Sequence, residues 1–428
     1  MSKTERLDII LFGATGFAGK RTIPYLTMLL KSENLSLTWG IAGRSEQKLK
    51  NTLLEMQYKT GEDYSQIPII LADINSIASL EKMTASAKII MNAVGPYRFY
   101  GEKVILACIK TGTHYVDITA EDQYMNLIQL KYHEAARTKG IYLVYACGFD
   151  CIPIDLGVVF LRNNFGGTLN SVESYTYITE DKGPGATVNY TSYESIMYFI
   201  GNYSELPNLR KKLYPKKLPV FKPKLPLKLA FFENKFLNRW CTIFPSADRS
   251  SCYKTQRYMF EMHKQRPVQV SCYVAYNSFL HFIVTGIFAV INFLFSKFSV
   301  TRNLLKFPRF FTCGMISHKG PTEKNEDNTF FDTVLVGRGW SETSPEPTHQ
   351  FETPPKKIGI AKISGKNPAY RATCIMFAAS ALIILTESNK MPPGGGCYPP
   401  GAAFANTSMV EKLNLHEIKF EMDPKILL

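Results

Sequence analysis

Acidic residues are scarce in this chain: 36 Asp and Glu stand against 50 Lys and Arg over 428 residues, a formal charge of +14. That excess calls for an anionic partner, which leaves a cofactor, a nucleic acid or an acidic lipid surface. Cysteine supplies no framework. The nine cysteines are odd in number and scattered, with Cys147 and Cys151 the only close pair. No second pair with zinc-ligand spacing accompanies them, so reduced thiols, no metal site and a cytosolic compartment are expected. The stretch Met1 to Asp8 is polar and runs straight into a strand, leaving no room for a cleavable signal peptide. Nucleic-acid motifs are missing, and the basic stretches lack aromatics interleaved on a sheet, so nucleic acid is not expected as a partner. Hydrophobic residues at 45% and charged residues at 20% exclude long disorder.

The length implies two domains. Leu7 to Phe12 is an apolar run suited to a strand covered on both faces. It meets Gly13-Ala14-Thr15-Gly16-Phe17-Ala18-Gly19, followed by an apolar helical pattern (Phe17, Tyr25, Leu26, Leu29). A strand, a glycine turn and a helix in that order make a nucleotide site credible. Gly13 allows the tight turn, Gly16 lets the backbone approach a pyrophosphate, and Gly19 lets the helix pack close to the sheet. Free amides at the helix N-terminus meet the negative charge. Pro24 inside this helix removes a hydrogen bond at about 3 kcal/mol, which predicts a kink or a shortened helix.

Leu37 to Ala42 reads as the second strand and ends in Gly43-Arg44-Ser45, with Lys48 a turn later. An acid at this place would bind ribose hydroxyls. A guanidinium instead holds a 2′-phosphate, so NADP(H) is expected over NAD(H). Three strands follow: Pro68 to Ala72, ending at Asp73-Ile74 beside the expected adenine; Lys88 to Val94, whose Asn92-Ala93-Val94 continue into Gly95-Pro96-Tyr97; and His114 to Asp117. A polar helical stretch from Asp122 to Lys139 leads to a sixth strand at Ile141 to Ala146. The first reading is therefore α/β, a Rossmann doubly wound parallel sheet over residues 1–165. Its ligand lies beyond the carboxyl ends of the strands.

From about Leu169 the pattern alternates, at Ser171 to Ile178, Val268 to Val274, Phe330 to Val336 and Lys357 to Ile363. This predicts a second mixed α/β, mainly antiparallel substrate domain over 166–390. The helix Arg371 to Thr386 is expected to pack on that second sheet, and the tail 390–428 to return to the first domain. Arg210-Lys211-Lys212, Lys216-Lys217, Lys222, Lys224 and Lys228 share a segment, 210–228, with Pro215, Pro219, Pro223 and Pro226 and no acid. It reads as an extended basic loop. Phe279 to Phe295 is uncharged, about 17 residues long, and followed by Lys297, Arg302, Lys306 and Arg309. A buried helix and contact with a membrane or lipid droplet are equally open for it, the basic flank favouring an anionic cytoplasmic surface.

Taken in order, Gly13 to Gly19, Ala42 to Ser45, Asn92 to Tyr97 with Tyr100-Gly101, Tyr115-Val116-Asp117 with Glu121, Gly148 to Asp155, Gly183 to Thr187 and Pro399 to Ala402 resemble the saccharopine dehydrogenase-like oxidoreductase family. The resemblance spans nearly the whole chain. It implies kinship with saccharopine reductases and with trans-acting enoyl reductases of lipid synthesis. In the saccharopine reductases the loop matching Phe149 to Leu156 ends in Asp-His. Here Asp155 stands where that acid would be and Leu156 replaces the histidine, which argues against saccharopine as substrate.

A reductase needs a proton donor beside its nicotinamide. Tyr97, Asp117, Glu121, Asp150 and Asp155 lie on the right loops, and none has the Tyr-x-x-x-Lys pairing of short-chain dehydrogenases. Each carboxylate is equally suited to capping a helix. The leading expectation is an NADP(H)-dependent reductase of a hydrophobic, lipid-like small molecule near membranes or lipid droplets. A non-catalytic NADP(H)-binding droplet scaffold and a saccharopine-type adduct reductase are the alternatives, and a homodimer is among the partners considered. Convergent arginines in the second domain's part of the cleft would favour a dicarboxylate, an apolar wall a lipid.

Overall fold

The computed structural model describes residues 6–180, 188–228, 231–244, 246–297, 316–321 and 327–423. The motif Gly183 to Thr187 and the basic residues Arg302, Lys306 and Arg309 lie outside the described residues.

The first sheet is built from β1 (Leu7–Phe12), β2 (Trp39–Gly43), β3 (Ile69–Leu71), β4 (Ala87–Asn92), β5 (His114–Asp117) and β6 (Tyr142–Val144). With a seventh strand from the C-terminal part, β15 (Gly396–Tyr398), it runs in the order β15-β6-β5-β4-β1-β2-β3. Every pairing in it is parallel. Alternation explains why β1 is apolar from Ile9 to Phe12. Ile9 and Leu11 enter one core, with Leu26 and Leu29 of α1 (Phe17–Ser32) and Leu53 of α2 (Glu46–Thr60). Ile10 and Phe12 enter the opposite core, with α3 (Ile77–Ala85), α4 (Tyr97–Thr111) and α5 (Asp122–Thr138). A strand buried on both faces needs no polar side. Contrary to the expectation from Pro24, α1 is not shortened there. Pro24 is half-buried, and its neighbours Ile23 and Leu26 are fully packed, which offsets the missing hydrogen bond.

α6 (Ile152–Asn164) leads out of this sheet into β7 (Thr168–Glu180), β8 (Val188–Asn189), α7 (Tyr190–Gly201) and α8 (Leu206–Leu213). Then come β9 (Phe232–Asn234), β10 (Arg239–Ile243), α9 (Asp248–His263), β11 (Gln269–Tyr276), α10 (Phe279–Lys297), β12 (Ile316–Ser317), β13 (Thr329–Trp340) and β14 (Lys357–Lys366). α11 (Thr373–Thr386), β15 (Gly396–Tyr398), α12 (Pro400–Phe404), α13 (Met409–Leu415) and β16 (Lys419–Met422) complete the described chain. The second sheet has the order β16-β14-β13-β7-β11-β10-β9. Only β7 and β11 pair in parallel; the other pairs are antiparallel. α6 bridges the two sheets, because Ile154, Leu156 and Leu161 share one core with Leu335 and Ile363 of the second sheet and Ile9 of the first.

Three expectations change. α11 does not pack on the second sheet. It lies beside α1 against β4 and β5, where Ile375, Phe377 and Leu382 fill the first sheet's core. The tail divides, with β15 pairing to β6 and β16 to β14. The basic segment is not extended from its start, since Arg210 to Lys212 belong to α8. Pro207 in its first turn is compatible with a helix, and the prolines that prevent one begin only at Pro215. Its charge is also partly matched: Arg210 pairs with Asp122 at 2.7 Å and Lys228 with Glu173 at 2.9 Å. Residues 279–297 form one helix, α10, whose outer face is exposed: Leu280 73%, Val284 55%, Ile287 57%, Leu294 54%. Its inner face rests on α7 through Phe288 and Phe295, and Tyr193 donates a hydrogen bond to Asn292.

Candidate functional site

A cleft of about 720 Å³ opens at the carboxyl ends of the first sheet's strands, between them and α7. One wall is the glycine turn. Gly13 has φ +86°, and a side chain there would meet Val94 at 2.8 Å. A Cβ on Gly19 would come within 2.2 Å of the Gly13 carbonyl, so only glycine lets α1 sit this close to the turn. Gly16 caps α1, its backbone faces the cleft, and no acid lies in the first helical turn. The amides of that turn have no partners within the helix and suit an anion.

The remaining expected cofactor residues fall into two groups. Thr15, Phe17, Arg44, Ile74, Ala93, Val94, Gly95, Pro96 and Tyr97 line the cleft. Arg44 is exposed at its mouth and pairs with no acid among the described residues. Ala14, Gly19, Ser45, Asp73 and Asn92 do not line it. Ala14 is fully buried. Ser45 caps α2, accepting from the Lys48 N–H at 3.4 Å. The Asp73 carboxylate closes its own turn by accepting the Asn75 N–H at 2.9 Å, so Asn75 takes its place on the wall. Asn92 works from behind: its Oδ1 accepts the Val94 N–H at 3.1 Å and its amide donates to Tyr115 at 3.0 Å.

The five candidate acids separate sharply once their partners are known. Asp117 is fully buried outside the cleft and accepts from Thr119 N, Ala146 N and Tyr115 Oη at 2.9–3.1 Å. Burial pushes its carboxyl up to about 7. Asp155 is equally buried and outside the cleft, accepting from Ser251, Thr255 and the Gly401 N–H at 2.8–2.9 Å. It ties α6 to α9 and α12, and does not cap its own helix. Glu121 lines the cleft, yet its two oxygens accept the N–H groups of Tyr97 and Arg98 at 2.8 and 2.9 Å. It caps α4, and burial raises its carboxyl. The Tyr97 hydroxyl donates to the Asn92 carbonyl at 3.0 Å, and burial raises it well above its ordinary range.

Asp150 differs from all four. It lines the cleft, has no hydrogen-bond partner among the described residues, and burial alone pushes its carboxyl up to about 6. Behind the same wall lies Asp248, the first residue of α9, almost fully buried and raised well above the usual range by burial and by the charge of Asp150. Sequence reasoning missed Asp248, because an acid opening a helix is so ordinary a pattern. It also missed the cleft's far wall on α7. Ser195, Ile196, Phe199 and Ile200 lie on that wall with the polar Thr191, Ser192 and Glu194, and Phe244 and Ser246 lie beyond them.

A glycine turn without side chains, a helix start without acids and an exposed arginine fit a dinucleotide carrying a pyrophosphate and a 2′-phosphate. Residues 9–144 match the family model of the saccharopine dehydrogenase NADP binding domain. A human saccharopine dehydrogenase-like oxidoreductase is 37% identical over 97% of this chain and 96% of its own length. A Caenorhabditis elegans lipid droplet localized protein is 33% identical over 98% of this chain and 99% of its own. The solved apo saccharopine dehydrogenase (L-Glu forming) of Saccharomyces cerevisiae shares the fold, with a TM-score of 0.54 at 13% identity over 97% of this chain and all of that one. The chain therefore belongs to the saccharopine dehydrogenase-like oxidoreductases, with an NADP(H)-binding Rossmann domain at its head.

Proposed function

We propose that this oxidoreductase reduces a hydrophobic, lipid-like substrate at a lipid surface, with Asp150 as the proton donor. One observation carries the substrate class. Among the described residues, the part of the cleft contributed after α6 contains Ile196, Phe199, Ile200 and Phe244 beside Glu194 and neutral polar residues, but no arginine or lysine. A dicarboxylate such as a saccharopine-type adduct would need cations there to offset its desolvation. The surface reading is supported by α10, whose exposed apolar face lies on the other side of α7 from the cleft. The C. elegans relative named for lipid droplets supports it as well.

The glycine turn, the start of α1 and Arg44 would hold NADP(H), which supplies hydride when bound. The protein's own part is positional. Glu121 fixes the first turn of α4, so Tyr97 and Pro96 keep the cleft's shape. Phe199, Ile200 and Phe244 exclude water and orient an apolar chain. Asp150 gives its proton to the atom next to the one that takes the hydride and recovers a proton from solvent, which suits a carboxyl near neutrality better than one in its ordinary range. The test is incubation of the protein with NADPH and a total lipid extract, followed by mass spectrometry. A lipid gaining two hydrogens with the parent and not with Asp150→Asn is expected. Turnover of an amino-acid dicarboxylate in place of any lipid overturns the reading.

A further inference from the structure

Asp248 has a surrounding that an ordinary helix-opening acid lacks. Such an acid is normally exposed and ionised, stabilised by the positive end of its helix. Asp248 is 1% exposed. Ser246 donates its hydroxyl to one carboxyl oxygen, and the other oxygen is buried with no hydrogen-bond partner. Ser246 and Ala247, immediately before it, line the cleft together with Asp150. Ser251 of α9 donates to Asp155 of α6 at 2.9 Å, which sets the starts of these two helices side by side, with Asp150 on the cleft wall just before α6 and Asp248 behind the wall at the start of α9.

We propose that Asp248 is a positioning residue of the reaction: a carboxyl that keeps its proton while Asp150 in front of it loses and regains one. The inference rests on Asp150 as donor. The titratable and charged groups that face the pair are Asp155 from α6 and Cys151 just before it, Cys252 and Arg249 from α9, and Cys272 from β11. Burial raises all three thiols, which stay neutral. Arg249 points to the Val270 carbonyl at 3.3 Å and is exposed. The buried cation Lys254 sits 3.6 Å from Asp122 and acts on Asp155. With no cation beside them among the described residues, a fully buried carboxyl behind a half-buried one does not ionise together with it near neutrality, so one proton stays. When Asp150 passes its O–H proton to the substrate, it becomes a carboxylate beside a neutral acid instead of a second anion. The bond broken is Asp150 O–H, the bond formed is substrate to hydrogen, and solvent returns the proton to Asp150.

The experiment uses the full chain with NADPH bound and aspartate labelled with carbon-13 at the carboxyl. Resonances are followed from about pH 4 to 9, with Asp150→Asn and Asp248→Asn to assign them. In the parent, the Asp150 signal is expected to titrate near pH 6 while the Asp248 signal stays that of a protonated acid through the same range. In Asp150→Asn, Asp248 should release its proton at least about one pH unit lower, a tenfold change in proton affinity. Asp248→Asn should leave the Asp150 transition in place. If an Asn variant does not fold, Ser246→Ala shifts the Asp248 signal and assigns it. Ionisation of Asp248 below about pH 5 in the parent, or an unmoved transition in Asp150→Asn, overturns the proposal. Reduction of substrate by Asp150→Asn overturns the donor reading instead, whatever the carboxyls do.

Discussion

Glu121, at the end of the loop after β5, accepts the N–H of Tyr97 at 2.8 Å and so fixes where α4 begins. The same carboxylate takes the Arg98 N–H at 2.9 Å. Glu121→Ala leaves two buried amides without an acceptor and is expected to cost about 2 kcal/mol or more. Glu121→Gln, which keeps one acceptor oxygen, should cost less. Denaturant unfolding of both variants checks the order.

NADPH should bind at least about tenfold more tightly than NADH, about 1.4 kcal/mol, because of Arg44. Arg44→Ala should remove most of that gap and spare NADH. Fluorescence titration with both nucleotides measures it, and equal affinities in the parent protein would sink the assignment.

The glycines of the turn should fail in different ways. At Gly16 a Cβ meets only the Gly13 carbonyl, at 3.1 Å. Gly16→Val should therefore fold, with a small stability cost, and lose NADPH binding. Gly19→Ala drives a Cβ to 2.2 Å from the same carbonyl and should push α1 off the sheet. Melting curves would separate the pair: a large loss for Gly19→Ala only.

Asp150 is expected to cost stability at neutral pH. Its folded carboxyl is raised from the usual 3.8 to about 6, so the folded state holds the proton more tightly than the unfolded chain does. The stabilisation from that proton is complete below pH 3.8 and lost as pH rises through about 6. Asp150→Asn escapes the loss. Relative to the parent it should gain nothing at pH 4 and at most about 3 kcal/mol by pH 8. Unfolding free energies across that range decide, and a gain independent of pH would contradict the raised carboxyl.

The two faces of α10 should respond oppositely. Aspartates at Val284, Ile287 and Leu294, all exposed, should release the protein from phosphatidylserine-containing vesicles and artificial droplets without altering its melt. The contact surrendered is worth about 25 cal/mol per Å² of apolar area. Phe288→Asp, on the side packed against α7, should lower the melting temperature instead. Flotation read beside a thermal melt checks both.

The parallel sheet was legible because its strands are apolar on both faces and end in turns whose glycines have one reading. The second sheet was legible from alternation at Ser171 to Ile178. The place of α11 was not. Its side chains are apolar all round, and such a helix carries no stripe to say which sheet it joins. The site divides in the same way. Glycines and Arg44 declare themselves because their backbone freedom or charge has few other uses. Asp117, Asp155 and Glu121 look identical to Asp150 in sequence, and only their partners across the fold distinguish them. Asn75 replaces Asp73 on the wall because an Asx turn redirects one carboxylate, a local detail that apolar pattern does not encode.

The edge strand β15 has a further consequence, for the order in which the protein is made. The sheet that begins at Leu7 is closed by residues 396–398, and one of its faces is covered by α11, residues 373–386. A ribosome that has released the first 150 residues has therefore released a nucleotide domain lacking an edge and part of a lid of packed helix. That sheet gains its last strand and this cover only after more than 200 further residues emerge. A frameshift or stop codon late in the message would thus damage the nucleotide half of the cleft, whose expected residues run only from Gly13 to Tyr97.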